Sequence, residues 1–94
     1  MDLHISPGVR EKLETKHGVT SGEVEECFAN REGGLLEDRR ERHRTDPPTH
    51  WFIARTDAGR MLKVVFVLRG RTFHLRTAFE PEESAIRLYD LYGR

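Results

Sequence analysis

A chain of 94 residues carrying 16 basic and 16 acidic side chains has a formal charge of zero, so nothing global draws it to nucleic acid or a membrane surface. The length suits one domain spanning 1–94, with room for one thin core. No apolar run approaches the roughly 18 residues of a membrane helix, and the single cysteine, Cys27, excludes an intrachain disulfide framework, so a cytoplasmic location is expected.

Met1 to Ile5 alternates weakly and reads as a short edge strand. Ser6-Pro7 follows as helix N-cap and first helical residue, where the missing proline N–H costs nothing. Val9 and Leu13 share one face of this helix, and Gly18 is placed to close it in the left-handed conformation. A second helix opens at Thr20. Thr20 and Glu23 have capping-box spacing, and Val19 and Val24 have that of a hydrophobic staple. Val24, Cys27 and Phe28 form its apolar stripe, and Gly33-Gly34 is expected to end it.

Asp38 to Asp46 holds four arginines and three acids and reads as a partly ordered hairpin arm ending at Pro47-Pro48. Three strands follow. Trp51 to Thr56 leads through the turn Asp57-Ala58-Gly59 into Met61 to Leu68, which is nearly continuously apolar, as a central strand covered on both faces would be. Arg69-Gly70 turns the chain into Arg71 to Phe79. Strict alternation sends Phe73, Leu75, Thr77 and Phe79 to the core, and Thr72, His74, Arg76 and Ala78 to the other face. A last helix starts near Pro81, with Glu80, Glu82 and Glu83 at its positive end and an apolar stripe of Ala85, Leu88, Tyr89 and Tyr92, widened by Ile86 and Leu91. The expected fold is α+β: a small antiparallel sheet of three to four strands, with two N-terminal helices and one C-terminal helix.

The histidines show no H-x-x-x-H spacing and there is no C-x-x-C pair, so neither a metal site nor a cofactor is expected. His74 and Arg76 share the non-core face, and His50 opens a strand expected two away from theirs, or next to it if the strand order differs. Such a trio suits acid/base cleavage of RNA: one imidazole takes the 2′-OH proton, the other protonates the leaving oxygen, and the guanidinium holds the phosphate. Strand parity works against the trio, because His50 shares its face with Phe52 and Ala54, unless a bulge or strand end near Pro48 re-aims it. Lys63 interrupts an apolar strand and is a candidate phosphate contact, as are Lys16 and Arg55. Trp51 beside Arg55 offers a surface on which a base could stack, although such a tryptophan is more often core. Cys27 lies on an apolar stripe without a base and reads as inert.

Several strings resemble the BrnT-like toxin family. Lys16-His17-Gly18-Val19 with Glu23-Val24-Glu25-Glu26-Cys27-Phe28 resembles its opening. Gly59 to Phe66 resembles its glycine turn and central strand, and His74 to Ala78 with Tyr89 resembles its ending. The resemblance implies a RelE-related fold with helices flanking a sheet, metal-independent RNA cleavage on the open sheet face, and neutralisation by a small antitoxin. The chain departs from the pattern where family arginines are replaced by His50, His74 and Phe79, and where the basic start of the last helix becomes Glu80-Pro81-Glu82-Glu83. An acidic helix start repels an RNA backbone. Three readings follow: a toxin-like ribonuclease, a non-catalytic protein-interaction module on the same fold, and small-molecule hydrolysis around His50 and His74, for which no nucleophile–base pair is visible. A homodimer would cover an apolar face that one copy leaves open.

Overall fold

The computed structural model describes residues 2–38 and 47–93. The hairpin arm expected over residues 38–46 lies, apart from Asp38, outside the described residues. Five strands form one mixed sheet: β1 (Asp2–His4), β2 (Leu36–Glu37), β3 (Thr49–Arg55), β4 (Met61–Arg69) and β5 (Thr72–Phe79), in the spatial order β1-β5-β4-β3-β2. Helix α1 (Pro7–Lys12) runs on into a π-helical turn over Leu13–His17; α2 (Ser21–Asn30) and α3 (Glu83–Tyr92) complete the chain.

The α+β class and the placement of the helices match the expectation, but the sheet does not. It has five strands rather than three or four, and it is not purely antiparallel, because β1 pairs in parallel with β5. Antiparallel neighbours can announce themselves through a tight turn, whereas a parallel pair is joined through a long excursion of chain. β2 contributes only a two-residue ladder opposite Trp51 and His50, too short to carry a periodic signal.

The helix starts follow their local chemistry. Ser6 Oγ accepts the Val9 N–H at 3.3 Å, with Pro7 opening α1. Thr20 and Glu23 form the full capping box, each accepting the other's backbone N–H at 3.1 Å. Gly18 adopts φ 62°, which terminates the π-helical turn without a Cβ clash. Gly33-Gly34 has a different role from the one expected, since α2 already ends at Asn30. A Cβ on Gly33 would lie 2.5 Å from the Tyr89 hydroxyl oxygen and 2.7 Å from the Gly93 carbonyl oxygen. These glycines let the end of α3 come close. The Tyr89 hydroxyl donates to the Gly34 carbonyl at 2.7 Å, and the Gly34 N–H donates to Gly93 O.

Directly opposed residues share a face, so the register defines both faces of the sheet. One face carries Phe52, Ala54, Leu62, Val64, Phe66, Phe73, Leu75 and Ala78, all buried. Helices α1 and α2 cover it. Phe28 of α2 inserts among Phe52, Phe73 and Phe66, with ring centroids at 4.9, 5.2 and 5.9 Å, while Leu13, Val24 and Cys27 fill the remaining space. The second face carries Trp51, Ile53, Lys63, Val65, Val67, His74, Thr77 and Phe79. Helix α3 packs on its β3 side through Tyr89, whose ring lies 5.9 Å from that of Trp51.

The expected division of β5 holds only for its first half. The β4–β5 register shifts between Val65 and Phe66, so that Thr77 opposes Val65 while Leu75 opposes Phe66, leaving Arg76 as the extra residue of a bulge. Past the bulge the parity reverses. Ala78 joins the core, and Thr77 and Phe79 join the face of His74. One inserted residue is enough to invert an alternation that was correct up to that point.

Candidate functional site

The histidines expected to work together are on opposite faces. His50 opposes Phe66, which opposes Leu75, and this places His50 on the helix-covered side. His74 follows Phe73 and precedes Leu75 in unbroken alternation, opposes Val67, and points to the other side. The strand parity that worked against the trio decides the matter, and no bulge re-aims His50. Its ring stacks on Phe66 at 6.1 Å between centroids, and its Nδ1 is buried without a hydrogen-bond partner. A sheet therefore separates the two imidazoles, and they cannot reach one phosphate group together.

The remaining candidates are dispersed or engaged. Arg76 is exposed at the bulge of β5, and Lys16 is exposed on the π-helical turn. Arg55 Nη1 donates to the Gly59 carbonyl at 2.9 Å and so fastens its own turn. Trp51 is buried beneath α3, and the Lys63 ammonium sits 4.4 Å from the centroid of its ring and 5.9 Å from that of Phe79. That geometry is a cation–π contact. It occupies both the ring expected to stack a base and the cation expected to meet a phosphate. Around Trp51, Lys63, Phe79, Ala85 and Leu88 lies an open groove of about 730 Å³.

The structure forms a different pair. β1 and β5 place His4 directly opposite His74, with ring centroids 5.4 Å apart and planes inclined at 61°. His4 is exposed and His74 half-buried. Arg69 and Asp2 both oppose Thr72, one from each neighbouring strand, and so lie one step along the same face. His4 was missed because pairing across the sheet leaves no trace in sequence spacing. The only available signal was the weak alternation of Met1 to Ile5. Among the described residues no three His, Cys, Asp or Glu side chains converge as a metal-binding group.

Arg60 was also missed, and its role is structural. From the β3–β4 turn it donates to the carbonyls of His17 and Gly18, to both carboxylate oxygens of Glu23, and to Glu80 at the end of β5. The His17-Gly18-Val19 string thus ends a helical segment, supplies carbonyls to Arg60, and buries Val19 completely. The backbone N–H of Thr20 holds the Glu23 carboxyl below its ordinary value, outweighing partial burial, with Arg60 adding to the effect. Burial pushes the Cys27 thiol up to about 11, and the nearby carboxylates of Glu23 and Glu26 add to this. A thiol in that state is no nucleophile at neutral pH.

No family model matches the chain, and no curated protein matches it.

Proposed function

We propose that this chain is a toxin-related protein of BrnT/RelE-like type that acts as a non-catalytic protein-interaction module. The observation that carries this reading is the set of exposed apolar side chains on α3. Leu88, Leu91 and Tyr92 are 45%, 73% and 69% exposed, on a helix whose inner side is fixed by Tyr89. A short helix that is firmly held yet turns leucine and tyrosine outward is suited to a partner's surface. The placement of His50 on the opposite face from His74, and the engagement of Lys63 with Trp51 and of Arg55 with its own turn, support the same reading. So does the acidic start of α3, where Glu82 adds negative charge beside Glu80 and Glu83, which are paired with Arg60 and Arg87, because negative charge repels an RNA backbone. The proposed partner is an antitoxin-like protein, with a second copy of the chain as the alternative.

The test is expression in a bacterial host together with incubation of the purified chain with RNA in EDTA. Normal growth and intact RNA are expected. Sedimentation then separates the partners. A dimer that dissociates on Leu91→Glu identifies a second copy, whereas a monomer leaves the surface to another protein.

The second reading, metal-independent RNA cleavage, is favoured by one observation, the adjacent imidazoles of His4 and His74. One would accept the 2′-OH proton as that oxygen attacks phosphorus, and the other would protonate the departing 5′ oxygen, leaving a cyclic phosphate. RNA cleavage in EDTA that is lost in both His4→Ala and His74→Ala would replace the first reading with this one.

A further inference from the structure

We propose that His4 and His74 form a two-imidazole site for a divalent transition-metal ion, clamping the edge strand β1 to β5. The inference uses only the geometry of the pair and does not rest on either reading of function. Two imidazoles bound to one zinc at about 2.0–2.1 Å, with a near-tetrahedral angle, have ring centroids roughly 5 Å apart. The observed centroids are separated by 5.4 Å, and the planes are inclined rather than stacked. The two residues are direct partners in the parallel β1–β5 ladder, so backbone hydrogen bonding fixes the spacing of their Cα atoms. Rotation of the rings about their Cβ–Cγ bonds would aim one nitrogen from each at a common point.

The surroundings allow occupancy. His4 is exposed and His74 half-buried, so an ion can enter from solvent. Along the same face Asp2 and Arg69, of opposite sign, both sit opposite Thr72, and Arg76 is exposed two residues beyond His74 on β5. Imidazole ligands suit Zn²⁺, Ni²⁺ and Cu²⁺ rather than Mg²⁺ or Ca²⁺. With two protein ligands, two tetrahedral positions remain for water or for a group brought by a partner.

The physical consequence lies in β1, a strand of three residues at the sheet edge. An ion bound only by the folded pair stabilises the docked strand by mass action. The test is calorimetric titration of the full chain with ZnCl₂, alongside thermal unfolding with and without the ion. Binding tighter than about 1 mM is expected, together with a rise in Tm that EDTA reverses. His4→Gln and His74→Gln should each weaken binding by on the order of tenfold or more, whereas His17→Gln and His50→Gln leave it unchanged. His4 is exposed, so His4→Gln keeps the fold, and an unaltered circular dichroism spectrum verifies this. Zinc binding of equal strength in wild type, His4→Gln and His74→Gln would overturn the proposal. So would affinity no better than about 1 mM in the wild type.

Discussion

Through a single guanidinium, Arg60 joins the β3–β4 turn to the end of the first helical segment, the start of α2 and the end of β5. Charged hydrogen bonds contribute about 1.5–3 kcal/mol when well shielded. Arg60 is 28% exposed and Glu23 25%, so Arg60→Met is expected to cost about 2 kcal/mol in urea unfolding, allowing for partial solvation. Arg87→Met is the control. Its bond to Glu83 is 73% and 79% exposed on its two sides, and its loss should pass nearly unnoticed. The same network sets an acid limb. The Glu23 carboxyl titrates below its ordinary 4.5 in the folded chain, so its contribution is fully present above that pH and is lost as pH falls through the folded value. Glu23→Gln should therefore be less stable than wild type at pH 7, with the difference narrowing below pH 4.5. His50 behaves oppositely. Its buried Nδ1 lacks a partner and its ring stacks on Phe66, so His50→Phe should be neutral or stabilising by up to about 1 kcal/mol. A large destabilisation in urea would count against this account of the site.

At the scale of elements, legibility followed the range of the signal. Ser6-Pro7, the Thr20–Glu23 box and Gly18 are local chemistry, and each was readable because its partner lies within a few residues. The bulge at Arg76 was not readable, since it exists only relative to Val65 and Phe66 on β4. The same holds for Gly33-Gly34. Between two apolar segments they look like a helix stop, while their actual constraint comes from Tyr89 and Gly93 at the other end of the chain. Helix α3 shows a further limit of pattern reading. Its stripe of Ala85, Leu88, Tyr89 and Tyr92 is apolar throughout, yet Tyr89 is buried and Leu88 and Tyr92 are exposed. Periodicity marks an apolar stripe without stating how much of it the chain itself can cover. The docking of α3 is testable at Tyr89. Tyr89→Phe removes one hydrogen bond to Gly34 and should cost about 1 kcal/mol. Gly33→Ala drives a methyl into the Tyr89 hydroxyl and should cost more, about 1–3 kcal/mol by overpacking. Both are measurable by thermal unfolding, and loss of Trp51 fluorescence perturbation by α3 would report the same undocking.

For the molecule as a whole, the decisive contact is the one the sequence conceals best. β1 lies at one end of the chain and β5 near the other, and their parallel pairing closes the sheet along that side. It also creates the His4–His74 pair, so fold and candidate site were obscured by the same long-range contact. Leu3 and Ile5 pack against the main core from this strand and its exit, which makes β1 part of the cooperative unit. Deleting residues 2–5 should therefore do two things. It removes apolar burial from a core that a 94-residue chain can scarcely spare, so unfolding should begin at a clearly lower temperature and urea midpoint. It also uncovers the backbone edge of β5 at residues 72–74, the stretch that β1 pairs, and so lengthens the exposed edge of β5 whose N–H and C=O groups can template another chain. The truncated chain should accordingly self-associate, as read by sedimentation, at concentrations where Leu91→Glu in the full-length background has no such effect. If truncation lowers stability without association, the edge of β5 is protected by the bulge at Arg76 and the exposed charge there, as edge strands elsewhere are protected by bulges and charges. If neither changes, β1 is an ornament on a four-stranded unit, and the clamp proposed for His4 and His74 would have nothing of consequence to hold.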